Sequence, residues 1–219
     1  MNDTMDGPRL DQGQFREVVR HPRAHASILG QYRIGEYAGV VALDRLLGEL
    51  EPDARLRRAM EIHRRDEARH TAVFTEWMRR LGVEPPVLPT DVEAYFSTSE
   101  EEHRTQRAVI DALPADIRRI VIFAGINAVE RLAWNQFGIH LACLDAPEDR
   151  ELLQSVMTEE KFHLNYVEAE LERQMKGEHG AIVTAALDEA RKRFLRFDEM
   201  RRNETRSNIE QILGGGATS

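Results

Sequence analysis

A chain of 219 residues, 42% of them hydrophobic and 31% charged, is long enough to close one sizeable core and has the balance of an ordinary globular protein. Its formal charge of −8 argues against a broad phosphate-binding surface, leaving only a local basic face over Arg191 to Arg202, so no nucleic acid partner is expected. Cys143 is the one cysteine, which excludes an intramolecular disulfide or a thiolate cluster within the chain, and any metal must be held by oxygen and nitrogen.

No run of eighteen apolar residues occurs, and Met1 to Gln14 is polar, so neither a membrane span nor a signal peptide is expected and the chain reads as cytoplasmic. Apolar residues recur at spacings of three and four with hardly any alternation, the period of helices, and the chain is expected to be all-α. A first long helix runs from about His25 to Glu51 and stops at Pro52-Asp53; a second starts there and ends near Leu81-Gly82, ahead of Pro85-Pro86. These form a hairpin. Between Val83 and Ala115, Pro85, Pro86, Pro89 and Pro114 surround one helix, about Val92 to Ala112, and the stretch reads as a crossover. A third helix runs from about Asp116 to Leu144, and Asp145-Ala146-Pro147 supplies a cap and an early proline for a fourth, ending near Gly177. Ala181 to Leu213 makes a fifth, highly charged helix, with Ala185, Leu187, Phe194, Leu195 and Met200 expected against the bundle. Residues 1–213 therefore read as a single domain, with the bundle at 25–176 and the additional C-terminal helix at 181–213, and residues 214–219 read as a disordered tail.

Charged residues intrude on the apolar faces of all four bundle helices. The stripes are Tyr32, Glu36, Val40, Leu43; Met60, His63, Glu67, His70, Phe74, Trp77; Ile120, Phe123, Ile126, Glu130, Trp134, Phe137; and Leu153, Val156, Glu160, His163, Val167. Burying one ionised carboxylate costs several kcal/mol unless it is compensated, so four facing one core call for cations. Measured from the turns at 52 and 146, Glu36, Glu67, His70, Glu130, Glu160 and His163 all lie 14 to 18 residues away, at a common depth of roughly 24 Å. The two halves also repeat: Glu67 and Glu160, like His70 and His163, are 93 positions apart, and Glu36 and Glu130 are 94 apart. One Glu from each of two helices with a Glu-x-x-His pair from each of the other two is the ligand set of ferritin-like di-iron and di-manganese carboxylate proteins. The expectation is thus a ferritin-like four-helix bundle of two hairpins holding two metals through those six residues. The oxygen-rich donors favour two Fe ions, with Mn/Fe or di-Mn as the alternative. Glu100 and His103 share the Glu-x-x-His spacing but lie in the polar run Ser97 to Arg104 and read as a solvated face.

Gly35, Ala38 and Gly39 beside Glu36, and Ala124, Gly125 and Ala128 before Glu130, leave room for a substrate or for close helix approach. A mostly apolar pocket is expected, bounded by Gly39 and Gly125 and by Val40, Phe74, Phe123, Ile126 and Phe137, and filling it at Gly39 or Ala128 is expected to stop turnover before metal binding. His63, one turn before Glu67, is read as a further ligand, a hydrogen-bond donor to one, or an ordinary core histidine, and Tyr166 as a neighbour of the centre or its pocket.

The stretch Glu67-Ala68-Arg69-His70 followed by Leu81-Gly82-Val83-Glu84, Gly35-Glu36, and above all Glu160-Lys161-Phe162-His163-Leu164-Asn165-Tyr166 with Glu168-Ala169, resembles the cyanobacterial aldehyde-deformylating oxygenases. The resemblance covers roughly residues 28 to 175. It implies a di-iron centre that activates O2 with electrons from an external donor such as ferredoxin, oxidising a small, mostly apolar substrate such as a fatty aldehyde, by C–C cleavage. Tyr37-Ala38-Gly39-Val40 and His63 depart from that family's pattern, which leaves a related hydroxylase, desaturase or N-oxygenase as the alternative, and a rubrerythrin- or ferritin-type peroxidase or iron-handling protein behind it. A monomer or dimer is expected.

Overall fold

The computed structural model describes residues 12–49 and 53–214, and every regular element among them is helical. In order these are α1 (Gln12–Arg20), α2 (Pro22–Glu49), α3 (Ala54–Arg80), a 3-10 turn (Glu93–Phe96), α4 (Glu100–Asp111), α5 (Ala115–Leu141), α6 (Pro147–Met175) and α7 (Gly180–Gly214). Pro52 and residues 215–219, on which a turn and a tail were expected, lie outside the described residues. Among those described, no helix is long and apolar enough to cross a membrane.

Local chemistry sets the helix ends. Asp53 accepts a hydrogen bond from the Leu56 amide (2.9 Å) and starts α3. The same helix ends on Gly82, the position with φ +74°, where the Gly82 and Val83 amides return to the Arg79 and Met78 carbonyls. A β-carbon is disfavoured in that left-handed conformation, which is why glycine closes the helix. At α6 the expected aspartate cap is absent: Ala146 precedes Pro147 with no side-chain cap, and Asp145 turns outward to Arg20 (3.4 Å). The proline, which needs no amide partner at the first position, does the starting.

Two further elements differ from the sequence expectation. The helix expected over 92–112 is broken, because Ser99 is extended (φ −158°, ψ 160°) and caps α4 through the Glu102 amide (3.1 Å). Tyr95 and Phe96 upstream are thereby released to pack on Phe194 and Phe197 of α7. Ahead of the bundle, α1 forms in a stretch that is largely polar, its Phe15 and Val18 packing into the main core. Tertiary burial stabilises a nine-residue helix that would be marginal alone.

Helices α2 and α3 form an antiparallel pair, with Arg64 reaching Asp44 (2.6 Å) towards one end and Arg33 reaching Thr75 (2.7 Å) towards the other. Helices α5 and α6 form the second pair, and α7 packs along α5 and reaches α2 and α6. The buried face of α7 carries Val183, Phe194, Phe197 and Ile209, with Leu187, Leu195 and Met200 half-buried, whereas Ala185 points to solvent. Trp134, placed on the inner stripe of α5 by spacing, is half-buried.

The core comes in two principal layers. One contains Leu29, Tyr32, Phe74, Phe137, Leu153 and Val156. The other contains Leu43, Met60, Phe123, Val167 and Val183. Glu36 on α2, His63, Glu67 and His70 on α3, Glu130 on α5, and Glu160 and His163 on α6 fall between the positions that feed these layers, so a polar stratum crosses the bundle with apolar packing above and below it.

Candidate metal centre

Seven ionisable side chains fill that stratum: Glu36 from α2; His63, Glu67 and His70 from α3; Glu130 from α5; and Glu160 and His163 from α6. All seven are buried. They form two groups, His63, Glu67, Glu130 and His163 in one and Glu36, Glu67, His70 and Glu160 in the other, each with donor atoms within 4.8 Å of one another. Glu67 belongs to both. The six residues expected from spacing are therefore brought together from four helices, and His63 joins them as a seventh.

The distances show how tightly the groups converge. His70 Nδ1 lies 2.9 Å from Glu36 Oε2 and 3.0 Å from Glu160 Oε1. His163 Nδ1 lies 3.0 Å from Glu160 Oε2 and 3.4 Å from Glu67 Oε1, and His63 Nε2 lies 2.9 Å from Glu67 Oε1 and 3.0 Å from Glu130 Oε1. The His63 and His163 rings stack with centroids 3.7 Å apart.

Each imidazole has a polar group behind it, in hydrogen-bond contact for His70 and His63 and only facing it for His163, a feature the sequence reading missed. His70 Nε2 meets Glu159 (2.7 Å) and His163 Nε2 faces Asp66 (3.5 Å), so each histidine is approached by the carboxylate just before the ligand glutamate on the opposite helix. Arg69 pairs with Glu159, and Arg65 with Asp66 at 3.2 Å. His63 Nδ1 lies 2.8 Å from the Tyr166 hydroxyl. The signal was present as the acidic doublets Asp66-Glu67 and Glu159-Glu160, again 93 positions apart. Such outer carboxylates fix the imidazole tautomer and raise its basicity.

Electrostatics records the strain of gathering these groups. Burial, then the charges of Glu36, Glu160 and Glu130, push the Glu67 carboxyl well above its usual range. Burial and Glu160 lift Glu130 to about 7. Burial opposes the charged form of His70, but Glu160 and Glu36 overcome it and raise the imidazole to about 11; Asp66 and Glu160 likewise overcome burial and raise His163 to about 9. His63 goes the other way, to about 4, because burial and the neighbouring His163 disfavour its charge. The stratum thus holds protons where a polycation would otherwise sit.

The donor set fits a pair of metal ions. Glu160 Oε1 is buried without a hydrogen-bond partner, on the side where His70 and Glu36 converge. Four carboxylates and three imidazoles supply hard oxygen with borderline nitrogen donors, the set suited to iron or manganese, and Glu67 stands where one carboxylate can serve both ions.

A cavity of about 400 Å³ opens against this stratum, with Glu36, Glu67, Glu130, Glu160 and His63 in its wall. Of the residues expected there, Gly39, Gly125, Ile126 and Phe137 line it. The others do not. Phe74 packs on Tyr32 and Phe137 in one core layer, Phe123 against Tyr166 in the other, Val40 is buried off the cavity, and Tyr166 is turned to His63. Gly39 abuts Glu67, since a β-carbon there would stand 2.6 Å from Glu67 Oε2, so a substitution at Gly39 strikes the buried Glu/His groups before the pocket. Ala128 packs with Leu132, Phe194 and Phe197 and leaves the cavity wall to Gly125, where a β-carbon meets nothing within 4 Å. Glu100 is exposed and His103 lies 3.9 Å from Asp91 in the outer wall; neither belongs to the two groups. Comparison of the chain with models of protein families, with curated proteins and with solved structures finds no match.

Proposed function

We propose that the chain is a non-haem di-iron oxygenase with a ferritin-like bundle, acting on a small, mostly apolar molecule held in the cavity beside the metals. One observation carries this reading: two buried Glu/His groups that share Glu67 open onto a largely apolar cavity of about 400 Å³, within the size range of ligand pockets. Glu36, His70, Glu160 and Glu67 would hold one ion and Glu130, His163, His63 and Glu67 the other. Such a pair of irons, when bound and reduced, would supply two electrons for O2 activation.

The chain's own residues do the rest. Glu159 and Asp66 orient His70 and His163 with Nδ1 towards the centre, and Tyr166 does so for His63 with Nε2 inward. The apolar layers on either side exclude water from the stratum, and the cavity wall holds the substrate against its one open face. With one cysteine, the chain builds no iron–sulfur module of its own, so reducing electrons come from an external protein such as a ferredoxin. The cavity favours an organic substrate over iron storage, and C–C cleavage of an aldehyde, hydroxylation, desaturation and N-oxidation are the reactions to be distinguished.

Metal analysis after loading with Fe(II), and absorption after exposure to air, test the proposal. Two irons per chain with the near-ultraviolet bands of oxo-bridged ferric carboxylates are expected, falling towards one iron in Glu130→Ala. A stoichiometry near zero, or near one and unchanged by that substitution, would overturn it. Product analysis by mass spectrometry with aldehydes, fatty acids and amines then separates the reaction types.

A further inference from the structure

Away from the metal stratum the cavity is walled by α7, α4 and the 3-10 turn, and there it turns from apolar to charged, with Glu189 and Asp198 beside several arginines. Four arginines line it: Arg45, Arg107, Arg193 and Arg201. Three are engaged. Arg45 reaches Asp111 at 2.5 Å, Arg107 approaches the same carboxylate at 3.8 Å, and Arg201 meets Glu204 at 2.8 Å and donates to the Tyr95 carbonyl at 3.0 Å.

Arg193 is different. Its Nε is buried with no hydrogen-bond partner, as is that of Arg201, but among the described residues no carboxylate lies within ion-pair distance of the Arg193 guanidinium, which lies over the Phe194 ring, 5.3 Å from the centroid. Burial depresses its pKa, the mark of a cation drawn out of water without full compensation. Glu102 and Glu189 bear on it only through their charge, and Glu102 is taken by the Thr98 amide and hydroxyl, by Gln106, and by Arg196 at 4.0 Å. Phe194, beneath the guanidinium, belongs to a separate aromatic cluster with Phe197, Leu132, Tyr95 and Phe96, distinct from the two core layers that bracket the buried Glu and His groups.

We propose that the cavity takes an elongated apolar molecule ending in a carboxylate, which Arg193 receives while the far end of the molecule lies against Glu36, Glu67 and Glu130. A planar guanidinium matches a carboxylate in shape and charge, and between the two ends the wall offers Ile126, Val129 and Phe197 to an apolar chain. A monoanion suits the site better than a phosphate dianion, because Glu102 and Glu189 already place negative charge near the guanidinium. The position of oxidation follows from the oxygenase reading, on which this part rests: it is the end remote from the carboxylate. Binding itself does not require that reading.

Calorimetric titration of the full chain with decanoate, decan-1-ol and decyl phosphate tests the proposal, with metal content measured on the same samples. Decanoate should bind about 10- to 100-fold more tightly than decanol, the range expected for a hydrogen-bonded charged group, and more tightly than decyl phosphate. Arg193→Gln should erase the preference for decanoate and leave decanol binding unchanged, and Arg193→Lys should restore part of it. Gly125→Leu, which fills the cavity, should weaken decanoate and decanol together. Equal affinity of the native chain for decanoate and decanol, or a preference for decyl phosphate, overturns the assignment without any variant. An Arg193→Gln chain that keeps the decanoate preference overturns it as well. If decanoate binds in the Arg193-dependent way while no metal is retained, the carboxylate site stands and the oxygenase reading falls.

Discussion

Replacing Gly39 by alanine is the smallest change that separates the centre from the bundle that carries it. The added β-carbon would stand 2.6 Å from Glu67 Oε2, 3.0 Å from Cδ and 3.2 Å from Cγ, all inside contact distance. Backbone is not involved, so Glu67 gives way by leaving its rotamer, at a cost of about 0.5–1.5 kcal/mol. Against this, alanine within a helix is favoured over glycine by roughly 0.5–1 kcal/mol. The metal-free fold should therefore change by about 1 kcal/mol or less, the balance of these two effects. Metal binding should suffer far more, because Glu67 belongs to both groups. Loss of a partner behind a ligand typically costs 10- to 100-fold in affinity, so displacement of a shared ligand should cost about 100-fold or more. Competition against a chromophoric chelator gives the affinity, and thermal unfolding of the metal-free protein gives the stability. Gly125→Ala, whose β-carbon meets nothing within 4 Å, is the matched control and should bind metal normally. Native metal affinity in Gly39→Ala, or a loss of several kcal/mol in the metal-free fold, would refute the reasoning.

Three other outcomes are expected. His70→Ala and His163→Ala should each lower metal content while the helical circular dichroism persists, whereas Glu100→Ala should change neither. Glu159→Gln and Asp66→Asn, which keep the shape of the group behind each histidine and remove its charge, should weaken metal binding about 10- to 100-fold in chelator competition. The third concerns pH. Glu130, His163 and His70 have folded values of about 7, 9 and 11, above those of the free groups, so the folded metal-free chain holds protons that the unfolded chain releases. Their contribution is full below the unfolded values and is lost as pH rises through the folded ones. His25 and His63, lowered to about 4, act in the opposite sense, but only between about 4 and the ordinary histidine value of 6.5. The melting temperature of the metal-free protein should therefore fall from pH 7 to 10, and the apparent metal affinity should rise over the same range because fewer protons must be displaced. A flat or rising melting curve would argue against protons being held in the stratum.

The helices were legible because each signal is local. A three-and-four apolar period, Asp53 as a cap, Gly82 as a stop and Pro147 as a start act within one or two turns of the chain, and the structure keeps them within a few residues. Where a local signal was outweighed, packing supplied the reason: Ser99 and the aromatic contacts of Tyr95 and Phe96 broke a helix, and burial of Phe15 and Val18 made one. Glu36, Glu67, His70, Glu130, Glu160 and His163 could be placed from sequence because ionisable residues on apolar stripes stand out, and equal distance from two turns puts them at one height. That argument locates a residue along a helix and around it, but it does not say which neighbour each atom meets. Whether His63 Nε2 reaches Glu130, whether Glu159 stands behind His70, whether Gly39 yields space to substrate or to Glu67, and which arginine of α7 enters the cavity all depend on how far apart the helices lie and how each is rotated. Those quantities are set by side chains distant in sequence packing together, and only the tertiary structure contains them.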